Sequence, residues 1–339
     1  MRRRQLLTLG ATATFGAPIK GLGELLAQLG DPTPEPLPSQ LSHTHVMKVR
    51  NLTQRLLELA CVHGPDLELS RAAVAWATRL LSVPGPEPVT QALMAAVADL
   101  HTIAGAGAYD GGLYDHTLYY YGRALELAIE AGDAYLQALA LTYAGLANDM
   151  HGHPDDGLKM LQFAQVKAWE LPRDQDRRHA VEATALAHSA TAYARLGDPK
   201  AADRELAKSR ELWRPSSPYG DPDRVAALLL VSRGRLDAAE PFAAASVRRW
   251  EGGFSELGRT HSRIVLATIH VRAGESDGLR LAHSAITAVT KLSSVRARQR
   301  LKPLATALES RPGSDHRQLA RMARQIAEPS ARPRPDPVR

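Results

Sequence analysis

Apolar and small residues recur three or four positions apart through the middle of the chain. From Asp115 onward, Leu118, Tyr121, Gly122, Leu125, Ala128 and Ile129 form one such stripe, and this periodicity predicts an α-helix with one buried face. Asp115 is placed to accept from the free N–H groups of the first turn. The Gly132-Asp133 pair marks the stop, because glycine takes up the left-handed conformation that ends helices. Of the three consecutive tyrosines in this stretch, the stripe claims Tyr121 for the core. It sets Tyr119 on the flank and Tyr120 on the opposite, outer face. Three different environments argue against a shared catalytic role.

The same pattern returns along the chain. Gly112, Gly152, Gly197, Gly234 and Gly274 each sit between two helical stretches, at spacings of 40, 45, 37 and 40. Seven residues before each lies a small residue: Gly105, Gly145, Ala190, Ala227 and Ala267. Twelve residues after each come Ala124, Ala164, Ser209, Ser246 and, as the exception, Ile286. Trp169, Trp213 and Trp250 follow their turns by 16 or 17 residues. Five units in register over residues 90–290 predict an all-α array of antiparallel helix pairs, a helical repeat solenoid. Small residues belong at the crossing because helix axes only ~8–10 Å apart exclude large side chains there. The unit TAYARLGDPKAADRELAKSREL, from Thr191 to Leu212, resembles a tetratricopeptide repeat through Ala190, Tyr193, Leu196-Gly197-Asp198, Ala202 and Leu206. The spacings exceed the roughly 34 residues of that repeat, and longer second helices or the loops LPRDQDRR and RPSSPYGDPD take up the difference.

Around this array the sequence predicts an opening helix pair at about 44–82 and a basic closing cap at 291–328. A Pro-rich linker, DPTPEPLPSQ, precedes them within an N-terminal segment of residues 1–43. The Pro-rich end SARPRPDPVR reads as a disordered tail. Aromatics at 5% and four Phe are sparse for one large core, whereas stacked Ala- and Leu-rich helices need few. The single cysteine, Cys61 in LLELACV, has no intramolecular disulfide partner, which favours a reducing compartment.

The formal net charge of +6 is concentrated at the ends. Residues 291–324 hold nine Lys or Arg against two acids, including VRARQRLK. Arg296, Arg298, Arg300 and Lys302 are either a patch for a polyanion or the solvated face of the closing cap. No aromatics interleave with them, so a stacking platform for single strands is absent. The start, MRRRQLLTLGATATFGAP, resembles a twin-arginine export signal. Lys20 and the lack of a clean small-x-small cleavage site oppose that reading, so the chain is expected in the cytoplasm, with export as the alternative. No stretch approaches the ~18–20 apolar residues of a membrane span.

Taken together, the segments RRRQLLTLGATATFGAP, HGPDLELSRAAVAWATRLL, AYDGGLYDHTLYYYGRALELAIEAGD, ATAYARLGDPKAADREL and SVRARQRLKPLATAL resemble the sensor portion of actinobacterial XRE (helix-turn-helix) type regulators. The resemblance implies a tetratricopeptide-like ligand-binding domain in transcriptional control. In that family the arginine pair follows an N-terminal DNA-binding domain, and no helix-turn-helix pattern occurs in this chain. Two alternatives therefore stay open: a stand-alone scaffold, or a DNA-binding regulator whose helix-turn-helix lies upstream of Met1.

Chemistry-bearing clusters are few. DMHGHPDD at 149–156 groups two histidines with three aspartates, but it spans an interhelical turn and its groups do not converge as metal ligands must. No Gly-rich phosphate loop, nucleophile elbow or HExxH is present. The expectation is a protein that is not an enzyme, with no cofactor and no metal. Repeat arrays bind along the concave face lined by the first helix of each pair. That face is assigned Thr102, Tyr109, Leu139, Thr142, Leu146, Asp149, Thr184, His188, Thr191, Arg195, Arg224, His261 and Thr268. Their mixture suits a peptide or protein partner held by polar contacts. Sequence-specific binding of nucleic acid by this chain alone is not expected, and assembly into a homo-oligomer is left open.

Overall fold

The computed structural model describes residues 36–172, 176–214, 220–251 and 255–328. The twin-arginine stretch, the first half of the Pro-rich linker, the SARPRPDPVR tail and parts of the two long loops lie outside the described residues. The described chain is all helical, with no strand. Its helices run α1 (His43–His63), α2 (Leu67–Leu80), α3 (Glu87–Asp110), α4 (Tyr114–Glu130), α5 (Ala134–Met150), α6 (Pro154–Trp169), α7 (Asp176–Arg195) and α8 (Pro199–Leu212). They continue as α9 (Pro222–Ser232), α10 (Leu236–Trp250), α11 (Glu256–Ala273), α12 (Gly278–Thr290), α13 (Val295–Gln299), α14 (Leu301–Glu309) and α15 (Ser314–Ala327).

The repeat register dictates the hairpins. The five turn glycines all lie in the left-handed region, with φ between 73° and 93°, and they separate α3 from α4, α5 from α6, α7 from α8, α9 from α10 and α11 from α12. All the small residues seven before the turn are buried, as are their counterparts twelve after it, Ile286 included. Gly145 shows why size matters: a Cβ there would lie 2.8 Å from the Gly157 carbonyl oxygen and from Leu161. Helix starts are marked by Asp66, Asp133, Asp198, Asp221 and Ser255, each accepting a first-turn N–H at 2.9–3.1 Å. Such caps contribute about 1 kcal/mol each. Asp115 does not cap α4; Leu113 holds that position, and Asp115 sits in the first turn, where its charge suits the helix dipole.

The first helices of the pairs form a closed circuit. Each of α1, α3, α5, α7, α9 and α11 packs against the next, and α11 packs back on α1. The opening helices α1 and α2 both rest chiefly on α3 rather than on each other. At the seam the α12–α13 loop meets both α1 and α3. Ser293 donates its N–H and hydroxyl to the His63 carbonyl at 2.7 and 2.8 Å, and Ser294 and Val295 donate to the Asp110 carboxylate. Outer helices flank the circuit, and α14 and α15 close the far end with a cluster that includes Leu301, Leu304, Leu308, Leu319 and Ala323.

This packing corrects one expectation about the tyrosines. Tyr121 is buried against Gly105, as its place in the stripe requires, and Tyr119 is exposed. Tyr120, expected on the outer face, is instead buried, 5.8 Å ring to ring from His101. Helix α4 is covered on two sides, by α3 and by α5. The tryptophans also diverge. Trp169 is exposed, whereas Trp213 lies beneath Arg249 and Trp250 donates to Asp221 at 3.0 Å.

A candidate ligand-binding interior

The residues expected on the concave face fall into two groups. Thr102, Thr142, Thr184 and Thr268 are buried, and each hydroxyl donates to the carbonyl four residues earlier on its own helix, at 2.7–3.2 Å. Leu139 is core and Leu146 is half-buried. These six pack the wall of the circuit rather than offering free polar groups.

The second group converges. Tyr109 comes from the last turn of α3, Asp149 from the end of α5, and His188, Thr191 and Arg195 from α7. Arg224 comes from the first turn of α9 and His261 from the second turn of α11. Asp149 is fully buried, not at an exposed helix end as its position near a turn suggests. It accepts from the Thr191 hydroxyl at 3.1 Å and pairs with Arg195 at 3.5 Å. Burial pushes its carboxyl up, and Arg195 and Thr191 oppose that shift.

The cap arginines turn into the same region. Arg296 donates to the Tyr109 hydroxyl at 2.8 Å and lays its guanidinium 3.4 Å from the ring centre. Arg300 is half-buried. Burial, then the neighbouring charge of Arg224, lowers its pKa to about 10, and Arg296 adds to that shift while Tyr109 and Asp110 oppose it. Arg298 is half-buried and reaches the Leu292 carbonyl at 3.5 Å, while Lys302 is exposed. The VRARQRLK stretch is therefore neither one solvated face nor one outward basic patch. In the helical turn 296–300, Arg296 and Arg300 share a side, and that side faces inward.

The same cations act on the two histidines. Burial, then Arg224 and Arg300, holds His188 down at about 4. His261 is lowered further by burial, Arg300, Arg224 and Arg296. Both are neutral at pH 7, and the buried Nε2 of His261 has no hydrogen-bond partner among the described residues. Arg300 and His188 each keep accessible surface while being strongly desolvated.

A second polar centre stands beside it. Asp221, whose side chain is fully buried, accepts from Ser246 at 2.5 Å, Trp250 at 3.0 Å, Arg249 at 3.0 Å and the Arg224 N–H at 3.1 Å. Burial pushes this carboxyl up, but Arg224 and the hydrogen bonds outweigh it and leave its pKa below the usual value. Arg249 also reaches Asp223 at 2.7 Å. The pattern of Asp221 followed by Pro222 signals a helix start, but nothing local announces the buried network. The histidines of DMHGHPDD are used within their turn: His151 bonds the Ala147 carbonyl and stacks on Tyr114 at 4.3 Å. Among the described residues no three His, Cys, Asp or Glu side chains are grouped to hold a metal ion. Nor is any described helix long and apolar enough to cross a membrane.

No family model matches this sequence, and no curated protein matches it.

Proposed function

We propose that this chain is a non-enzymatic regulatory protein that holds a peptide, or an extended segment of a protein partner, inside the circuit of its tetratricopeptide-like helices. The observation that carries this reading is the convergence of Tyr109, Asp149, His188, Arg195, Arg224 and His261 from five successive first helices. Polar side chains from separate repeats, gathered on one inner face, are what an extended ligand contacts in sequence. The resemblance of the quoted segments to XRE-type regulators supports a role in transcriptional control, inside the cell. A single half-buried free cysteine, Cys61, agrees with a reducing compartment. Affinity capture from the source cells, followed by mass spectrometry of peptides and proteins, tests the reading. Wild-type chain should retain a ligand that His188→Ala loses at unchanged melting temperature; equal recovery by both would remove the inner face from consideration.

One observation favours a second reading, a scaffold that docks a partner outside. Phe163, Val166 and Trp169 on α6 are 54–65% exposed and lie on adjoining turns. If Phe163→Ser rather than His188→Ala abolishes capture, the outer helix is the binding face.

A further inference from the structure

The outer face of α6 carries a pattern that the repeat does not require. Phe163, Val166 and Trp169 lie 11, 14 and 17 residues after their turn glycine and are 54–65% exposed. In the same register α4 shows Arg123, Glu126 and Ile129, and α8 with the residues after it shows Lys208, Glu211 and Arg214. Outer helices of this array thus fold with charged groups at these places, and packing within the chain does not account for the apolar ones. Helix α6 packs chiefly on α5 and α7, which leaves this face open. Trp169 is also held in place, its indole N–H donating to Glu182 of α7 at 3.0 Å. Exposed apolar groups gathered on one helix mark an association surface, and a ring already fixed loses little freedom on binding.

We propose that this face pairs with the same face of a second copy of the chain, α6 against α6 and antiparallel, about a two-fold axis midway between Phe163 and Val166. The proposal names an occupant for the outer face and does not depend on the interior. Lys159, Phe163, Val166 and Glu170 follow one another at spacings of four, three and four residues, one stripe on a helix. All four are exposed, and Glu170, just past the last turn, keeps helical angles of φ −71° and ψ −16°. The spacing reads the same from either end, but the charges at the two ends differ. Turned antiparallel on itself, the stripe sets Phe163 of each copy against Val166 of the other and Lys159 against Glu170. In-register parallel pairing would instead set lysine on lysine and glutamate on glutamate. Self-complementarity of this kind is what a two-fold interface requires. Within the chain Lys159 pairs with Asp156 at 3.2 Å and Glu170 with Lys167 at 2.8 Å, exposed neighbours that hold a side chain weakly. Trp169 flanks the stripe and widens the apolar contact.

The test is analytical sedimentation of the purified full chain over roughly 1–200 μM. The average mass of wild type should rise from one chain toward two as concentration increases. Phe163→Asp should hold it at one chain across the range, at unchanged melting temperature. Lys159→Glu and Glu170→Lys, each alone, should weaken pairing on the order of tenfold, since each sets like charges together at two symmetric places. The double variant should recover wild-type association, and so should an equal mixture of the two single variants, because both restore two contacts of opposite charge. Lys208→Glu, in the register of Phe163 but on α8, should change nothing. The charge swaps, made at exposed positions, decide the matter should Phe163→Asp lower the melting temperature. A wild-type mass that stays at one chain, association that survives Phe163→Asp in a folded variant, or charge swaps whose combination fails to recover pairing overturns the proposal. Only purified chain is used, so this result is distinct from capture of other proteins, which tests the interior.

Discussion

The Ser294 hydroxyl donates to the Asp110 carboxylate at 2.6 Å, joining residues 184 positions apart. Around this bond the α12–α13 loop is fastened to α1 and α3, and the circuit of first helices is complete. Asp110→Ala would leave two buried donors, the Ser294 hydroxyl and the Val295 N–H, without their acceptor. The expected cost is about 2–4 kcal/mol. The loss should be local before it is global. Hydrogen exchange should quicken at residues 293–300 and at the end of α1, with α5 to α8 unchanged. Uniform quickening across all helices would contradict a distinct seam.

The three tyrosines of α4 should separate cleanly by melting temperature. Tyr121→Ala removes a ring packed against Gly105 and should cost about 3–5 kcal/mol. Tyr120→Ala should also destabilise, by roughly 2–4 kcal/mol, because the ring is buried beside His101. Tyr119→Ala should stay within ~0.5 kcal/mol. A neutral Tyr120→Ala would return that ring to the surface, where the apolar stripe alone had set it.

Asp149 and Arg195 should behave as a coupled pair. Arg195→Ala strands a buried carboxylate and should cost on the order of 3 kcal/mol. Asp149→Asn with Arg195→Ala should recover part of that loss, because the stranded group is then neutral. Denaturant melts of the two single variants and the double variant give the coupling directly. Strict additivity would mean that the pair carries no energy in solution.

Acid should weaken the fold through its buried histidines. His101 is 3% exposed with both ring nitrogens unpartnered, and burial, then Arg123, holds its pKa at about 4. The unfolded chain takes up its proton near pH 6.5 while the folded chain does not. Stability from His101 is therefore full above pH 6.5 and declines as pH falls toward 4, by on the order of 3 kcal/mol. Asp99 works in the opposite sense. Burial raises its pKa to about 6, so the folded chain keeps its proton longer than the unfolded chain, and stability falls as pH rises from about 4 to 6. Melting curves from pH 4 to 8 should show His101→Phe flattening the acid loss. Asp99→Asn should gain stability at pH 7 and little at pH 4. Identical pH profiles for wild type and both variants would contradict these assignments.

Much of the array was legible because it is local. The five turn glycines, the small residues seven before them and the residues twelve after them lie within one hairpin each, so periodicity alone finds them. Tyr120 was missed because a single stripe assumes one buried face, whereas a helix inside an array is covered on two. The burial of Asp149 was missed for a related reason: a polar residue near a turn reads as exposed, yet α7 from the next unit folds over it. The inward direction of Arg296 and Arg300 depends on the seam, and contacts between residues almost two hundred positions apart leave no periodic trace. Charge counting could locate the cap arginines but could not say which way they face.

Closure also sets an arithmetic on the molecule. An open stack of hairpins can grow or shrink by a unit and keep every remaining contact, because each unit touches only its neighbours. Six inner helices whose last member packs on the first do not have that freedom. Deleting one hairpin would remove a wedge about 8–10 Å wide, too wide for side chains to bridge, and adding one would part the Ser294 bond to Asp110. Duplication, the usual way such proteins lengthen, is therefore barred to this one unless both ends change together. Its size is a property of the ring as a whole.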